Sequence, residues 1–150
     1  MKNIKKIFSY VVVAALVMAL SISCKNEETT GSGDIIGSTT QSHPTEGSYS
    51  NNSSVNGSAT VSINGDICTI TGTAFNNNNP TNFNITVTKW FYYYGDDKVY
   101  YAGSDYEQSE ATINSPVTDY FKVEYQSDIE IISVEFGPEE NRYWTGYLGN

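Results

Sequence analysis

Few residues of this chain could do chemistry beyond packing: two cysteines, one histidine, scattered carboxylates and a set of aromatic rings. A catalytic thiol needs a base beside it. Cys68 lies in Ile67-Cys68-Thr69-Ile70, which reads as a strand, while His43 sits far away in a Ser/Thr/Pro-rich stretch. Cys68 is therefore expected to be a buried structural thiol, packing as a small hydrophobe. One histidine excludes a multi-histidine zinc site within one chain. Asp96-Asp97 and Glu139-Glu140 lack the alternating spacing of a calcium loop and read as solvated turns. Asp105, Glu107 and Glu110 are close enough in sequence to suggest a carboxylate pair for glycoside hydrolysis. In a chain with 17 acidic residues such proximity arises by chance. No Gly-x-Ser-x-Gly elbow and no phosphate-cradling glycine loop follows a strand. The sequence thus predicts no catalysis, no metal and no cofactor.

Cys24 stands in a different setting. A basic start with Lys2, Lys5 and Lys6 leads into an apolar run, Tyr10 to Leu20, of 11 residues. A membrane-spanning helix needs roughly 20. Leu20-Ser21-Ile22-Ser23 then brings small residues up to the cysteine, the layout of a cleavable secretory signal. This order resembles the signal peptide and lipobox of bacterial lipoproteins, with the leucine one residue further from the cysteine than usual. The resemblance implies cleavage before Cys24, lipidation of Cys24 and anchoring in the bacterial cell envelope, at the outer membrane or cell surface. Cys24 is then the lipid site and Cys68 has no disulfide partner. Lys25-Asn26-Glu27-Glu28 resembles the acidic surface-export signal that some lipoproteins carry after the cysteine.

The remaining chain divides in two. Residues 24–46 are rich in Ser, Thr, Gly and Pro, a composition unable to bury enough surface to order itself, and read as a flexible tether. Residues 47–150 carry β-formers throughout. Ala59, Val61 and Ile63 alternate with Thr60 and Ser62, and Asn64-Gly65 is a hairpin signal before Asp66 to Phe75. Asn76 to Pro80 reads as a loop. Phe83 to Tyr94 is long for one strand and is expected to bulge near Lys89. Val99–Ala102, Ala111–Ile113, Phe121–Tyr125, Ile129–Phe136 and Arg142–Leu148 complete the set, with a further bulge expected between Ile131 and Ile132. The predicted fold is all-β: a small antiparallel meander, barrel or sandwich, of about eight strands. Gly47-Ser48-Tyr49 and Thr71-Gly72-Thr73 resemble the opening strands of lipocalin- and avidin-like barrels.

Charge narrows the partners. The 8 basic residues less the three leader lysines leave 5 against 17 acids, a formal −12 after cleavage. Such a surface repels phosphates, so nucleic acid is not an expected partner. A basic protein fits the charge, as a lysozyme inhibitor would require. The aromatic residues offer another route, because rings stack on sugars and line apolar pockets. Trp90, Tyr92 and Tyr94 share one predicted strand face, and Tyr101 lies on the returning strand. These four are the candidate ligand-binding residues for a glycan or small molecule. The leading expectation is a lipid-anchored, non-enzymatic interaction module; the second is a small-molecule or glycan binder using an aromatic-lined barrel mouth.

Overall fold

Apolar residues at every second position bury one side of strands such as Ser58–Asn64 and Phe121–Gln126 and leave polar residues on the other. The computed structural model describes residues 36–39, 44–51, 57–93, 98–117 and 120–150. They form an all-β antiparallel structure with eleven strands among the described residues: β1 Ile36–Thr39, β2 Gly47–Tyr49, β3 Ser58–Asn64, β4 Ile67–Asn76, β5 Asn79–Tyr93, β6 Val99–Gly103, β7 Glu110–Asn114, β8 Phe121–Gln126, β9 Ile131–Phe136, β10 Tyr143–Trp144 and β11 Leu148–Gly149. None of these residues forms a helix long and apolar enough to cross a membrane. Residues 1–23, Cys24, His43, Tyr94 and the Asp96-Asp97 pair lie outside the described residues.

Strands β4, β5, β6, β8, β9 and β10 close a ring, and β3 and β2 continue outward from β4. Two seams of the ring are thin. One pair, Phe91 with Tyr101, joins β5 to β6, and one pair, Trp144 with Phe75, joins β10 to β4. The interior is filled by Val61, Ile70, Phe83, Ile85, Trp90, Val123, Ile132, Val134, Phe136 and Leu148, among others. Fully burying an aliphatic or aromatic side chain stabilises by about 1.5–3 kcal/mol.

The turns differ from the expected ones in an instructive way. Asn64 pairs with Ile67, so the central turn residues are Gly65 and Asp66 rather than Asn64 and Gly65. Only Gly65 has a positive φ, 61°, the pattern of a II′ turn with glycine first. The polar run after Phe75 is no open loop. Asn76 pairs with Asn79, and Asn77 takes φ 54°, so two residues suffice and β5 starts at Asn79. The bulge expected near Lys89 is present: Val87 pairs with Ala111 and Lys89 with Glu110, leaving Thr88 extra. No bulge divides Ile131 from Ile132, because β8 and β9 pair without interruption. The apparent phase break arises because Ile129 lies in the turn, exposed, and Ile131 faces outward.

The tether expected over 24–46 also contains structure. Its residues Ile36–Thr39 pair with Trp90–Tyr93 of β5. Gly37 allows the close approach: a Cβ there would lie 2.5 Å from the Tyr92 ring.

Candidate binding face

The Thr88 bulge decides which side of the sheet each later ring of β5 takes. An extra residue reverses the alternation, so Trp90 turns inward with Ile85 and Val87, while Phe91 and Tyr93 turn outward. Trp90 is fully buried, and its Nε1–H has no hydrogen-bond partner among the described residues. Tyr92 lies half-buried on the same inward side, its ring 6.0 Å from that of Tyr100. The strand face expected to bind a ligand through Trp90 and Tyr92 is thus the face that packs inward. Of the described candidates, Tyr101 is the one on the outer side. Its ring stacks on Tyr106 at 4.9 Å, Tyr106 stacks on Phe91 at 5.2 Å, and Tyr93 meets Tyr101 edge-on at 5.9 Å. Burial, reinforced by the neighbouring Tyr101 and Tyr93, pushes the Tyr106 hydroxyl up, so it stays a protonated donor.

Further around the sheet, register carries this outer side across β8 and β9. Tyr101 pairs with Glu124, and Glu124 with Ser133; Lys122 pairs with Glu135, and Glu135 with Trp144. A hollow of about 320 Å³ opens there, lined by Lys122, Glu124, Ser133, Glu135, Arg142, Trp144 and Tyr147. A second bulge makes it. Trp144 opposes Glu135 and Leu148 opposes Ile132, so three residues of the last segment face two of β9. Gly146, with φ 77°, absorbs the turn. Strict alternation would send Tyr147 inward opposite to Trp144; the extra residue aims both outward, 45% and 55% exposed, with rings 5.5 Å apart at 90°.

Thr145 holds that segment down. It is fully buried, its Oγ1 accepts from the Val134 N–H at 2.9 Å and donates to the Gly146 carbonyl at 2.9 Å, and its own N–H donates to the Val134 carbonyl at 3.0 Å. Arg142 is held as firmly. Its guanidinium lies 3.5 Å from the Tyr120 ring centroid, its Nη1 donates to the Gly137 carbonyl, and its Nε is 3.7 Å from Glu135. Tyr120 in turn donates to Asp105 at 2.6 Å. Burial and that hydrogen bond push the Tyr120 hydroxyl up and keep it protonated. Lys122 forms no ion pair among the described residues.

Of the other groups singled out in the sequence, Asp105 and Glu110 are engaged and Cys68 is hidden. Asp105 serves Tyr120, while Glu110 pairs with Lys89 at 3.7 Å, so the two carboxylates face different partners. Cys68 is fully buried, and burial pushes its thiol up to about 12. Among the described residues no three His, Cys, Asp or Glu converge as metal ligands would. The sequence places Trp144 and Tyr147 in the strand Arg142–Leu148 but carries no signal that joins them to Lys122, Glu135 and Arg142. Gly146, one residue before Tyr147, is a local signal of the bulge alone. Comparison of the chain with known protein families, curated proteins and solved structures finds no match. The reading of this face therefore rests on its geometry.

Proposed function

We propose that this is a non-enzymatic binding module, anchored in the bacterial envelope through a lipid on Cys24, that meets its partner with the outer face around Trp144 and Tyr147. The observation that carries this reading is the hollow lined by two exposed rings together with an Arg142–Glu135 pair. A second support is that Trp90 is packed in the core, whereas Trp144 and Tyr147 are exposed. The basic–apolar–small order before Cys24 supports the anchor. A diacyl group buries many methylenes at about 0.8 kcal/mol each, enough for firm attachment.

Two measurements test it in cells. A fatty-acid analogue should label the wild-type protein, and Cys24→Ser should release it from membranes; an unlabelled wild type sinks the anchor. A photo-reactive residue replacing Lys122 should crosslink to envelope material, and one replacing Thr71 should not. Equal crosslinking from both positions would sink the assignment of the face.

A further inference from the structure

We infer that the hollow between Trp144, Tyr147 and Arg142 takes a neutral oligosaccharide, with one sugar ring seated on the two aromatic rings. This rests on the reading of that face as the binding surface and names its ligand class.

The first ground is the pair of rings. A pyranose has an apolar C–H face and a rim of hydroxyls, and the C–H face packs on an aromatic plane. Trp144 and Tyr147 stand at 90° to each other, so they offer a plane and a wall to one sugar ring. Both rings are exposed, 45% and 55%, and the bulge through Gly146 is what aims them to one side.

The second ground is charge. Lys122 and Arg142 are matched within the lining by Glu124 and Glu135. An anion would meet the two carboxylates within a chain already strongly acidic, and a cation would meet the ammonium and the guanidinium. A polyol meets no such conflict, because each hydroxyl donates to a carboxylate and accepts from Lys122 or Arg142. Hydrogen bonds to charged groups are about twice as strong as neutral ones, which suits a ligand with no charge of its own.

The third ground is preorganisation. Arg142 is fixed by Tyr120, Gly137 and Glu135, and Glu124 accepts from Gln126 at 3.1 Å. The backbone between Trp144 and Tyr147 is pinned by Thr145. Groups already held lose little freedom on binding. A volume of about 320 Å³ lies at the small end of ligand sites and suits a short stretch of sugar chain.

The test is a binding screen of the full chain in a zwitterionic detergent. The probes are neutral oligomers of glucose, mannose, galactose, xylose and N-acetylglucosamine, with heparin as polyanion and chitosan as polycation. At least one neutral oligomer should bind and shift the fluorescence of Trp144, since Trp90 is buried. Trp144→Ala should weaken that binding at least tenfold, and Arg142→Met severalfold, with the protein still folded by circular dichroism. Binding that survives Trp144→Ala, absence of any neutral ligand, or heparin or chitosan bound more tightly than every neutral oligomer overturns the inference. If the photo-reactive residue in place of Lys122 crosslinks in cells while no neutral sugar binds the wild type, the face stands and only the ligand class falls. If both fail, the reading of the face falls with it.

Discussion

Two hollows of nearly equal volume, about 320 and 310 Å³, open among the described residues, and only the first of them is lined by aromatic rings and cations. The second is lined by Thr86, Thr88, Ser109, Glu110, Ala111 and Thr112. It belongs to a face of hydroxyls and amides: Ser62, Thr69, Thr86 and Thr112 form one row across four strands, and Ser48, Thr60, Thr71, Asn84 and Asn114 form another across five. No charge interrupts either row. An outward sheet face needs only polar, β-compatible side chains to stay in water, and Thr and Asn supply that. The first hollow carries two exposed rings, two cations and two carboxylates over β8, β9 and β10. Solubility alone does not call for exposed Trp beside a braced arginine. Under the proposed function, recognition falls to the first face and solvation to the second.

Both faces share β5, and the largest expected effect lies where it changes character. Before Thr88 its outward residues are Asn82, Asn84 and Thr86; after it they are Phe91 and Tyr93, and Trp90 fills the interior beneath. Trp90→Ala should cost about 3–5 kcal/mol in chemical denaturation, the usual loss for a large buried aromatic. Trp90→Phe should cost less than half as much, because it also removes the unpaired Nε1–H. A loss under about 1 kcal/mol for Trp90→Ala would mean that the two halves do not depend on this packing.

The same strand shows what the sequence made legible. Alternation of Ala59, Val61 and Ile63, and of Phe121, Val123 and Tyr125, places their strands because each has one wet side and one dry side. Even the Thr88 bulge was legible, since Lys89 breaks the apolar face of a run too long for one flat strand. Its consequence for Trp90 was not. A single extra residue inverts every later side chain, and sequence does not say which of Val87, Thr88 or Lys89 is the extra one. The hollow was harder still. Lys122, Glu135 and Trp144 are neighbours only through register, and Tyr147 joins them only through a bulge at Gly146. Local pattern carries neither fact. Turn chemistry failed for a smaller reason: Asn77 can adopt positive φ, so a run of asparagines closed a two-residue turn where a longer loop was expected.

A middling effect comes from beneath the hydroxyl face. Cys68 and Tyr49 are both buried on that side, and burial raises both, the thiol from 9.0 to about 12 and the phenol from 10.0 to about 12. The folded state holds each neutral while the unfolded chain ionises first. Their contribution is fully present below the unfolded values and is lost as pH rises from about 9 towards about 12. The first part of that loss, between about pH 9 and 10, belongs to Cys68, because tyrosine ordinarily titrates later. Cys68→Ala should cost on the order of 1 kcal/mol at neutral pH. Its Tm should then fall less steeply than the wild type's between about pH 8 and 10. Parallel Tm curves would place the alkaline loss elsewhere. Carbohydrate binding by Cys68→Ala should match the wild type.

The smallest expected effect sharpens the comparison most. Thr71 stands exposed in the middle of the longer row, between Thr60 and Asn84. Thr71→Val keeps the branched Cβ that suits a strand and removes only a hydroxyl already open to water. Stability should change by no more than about 0.5 kcal/mol, as at other surface positions. Sugar binding should not change at all, because the hydroxyl face takes no part in it. Doing the same at Thr60 and Thr86 together would gather exposed methyls into a patch, and association of the protein should rise before its stability falls. If Thr71→Val instead weakens oligosaccharide binding as Trp144→Ala does, the hydroxyl rows are part of the recognition surface. The division of labour between the two faces would then be wrong.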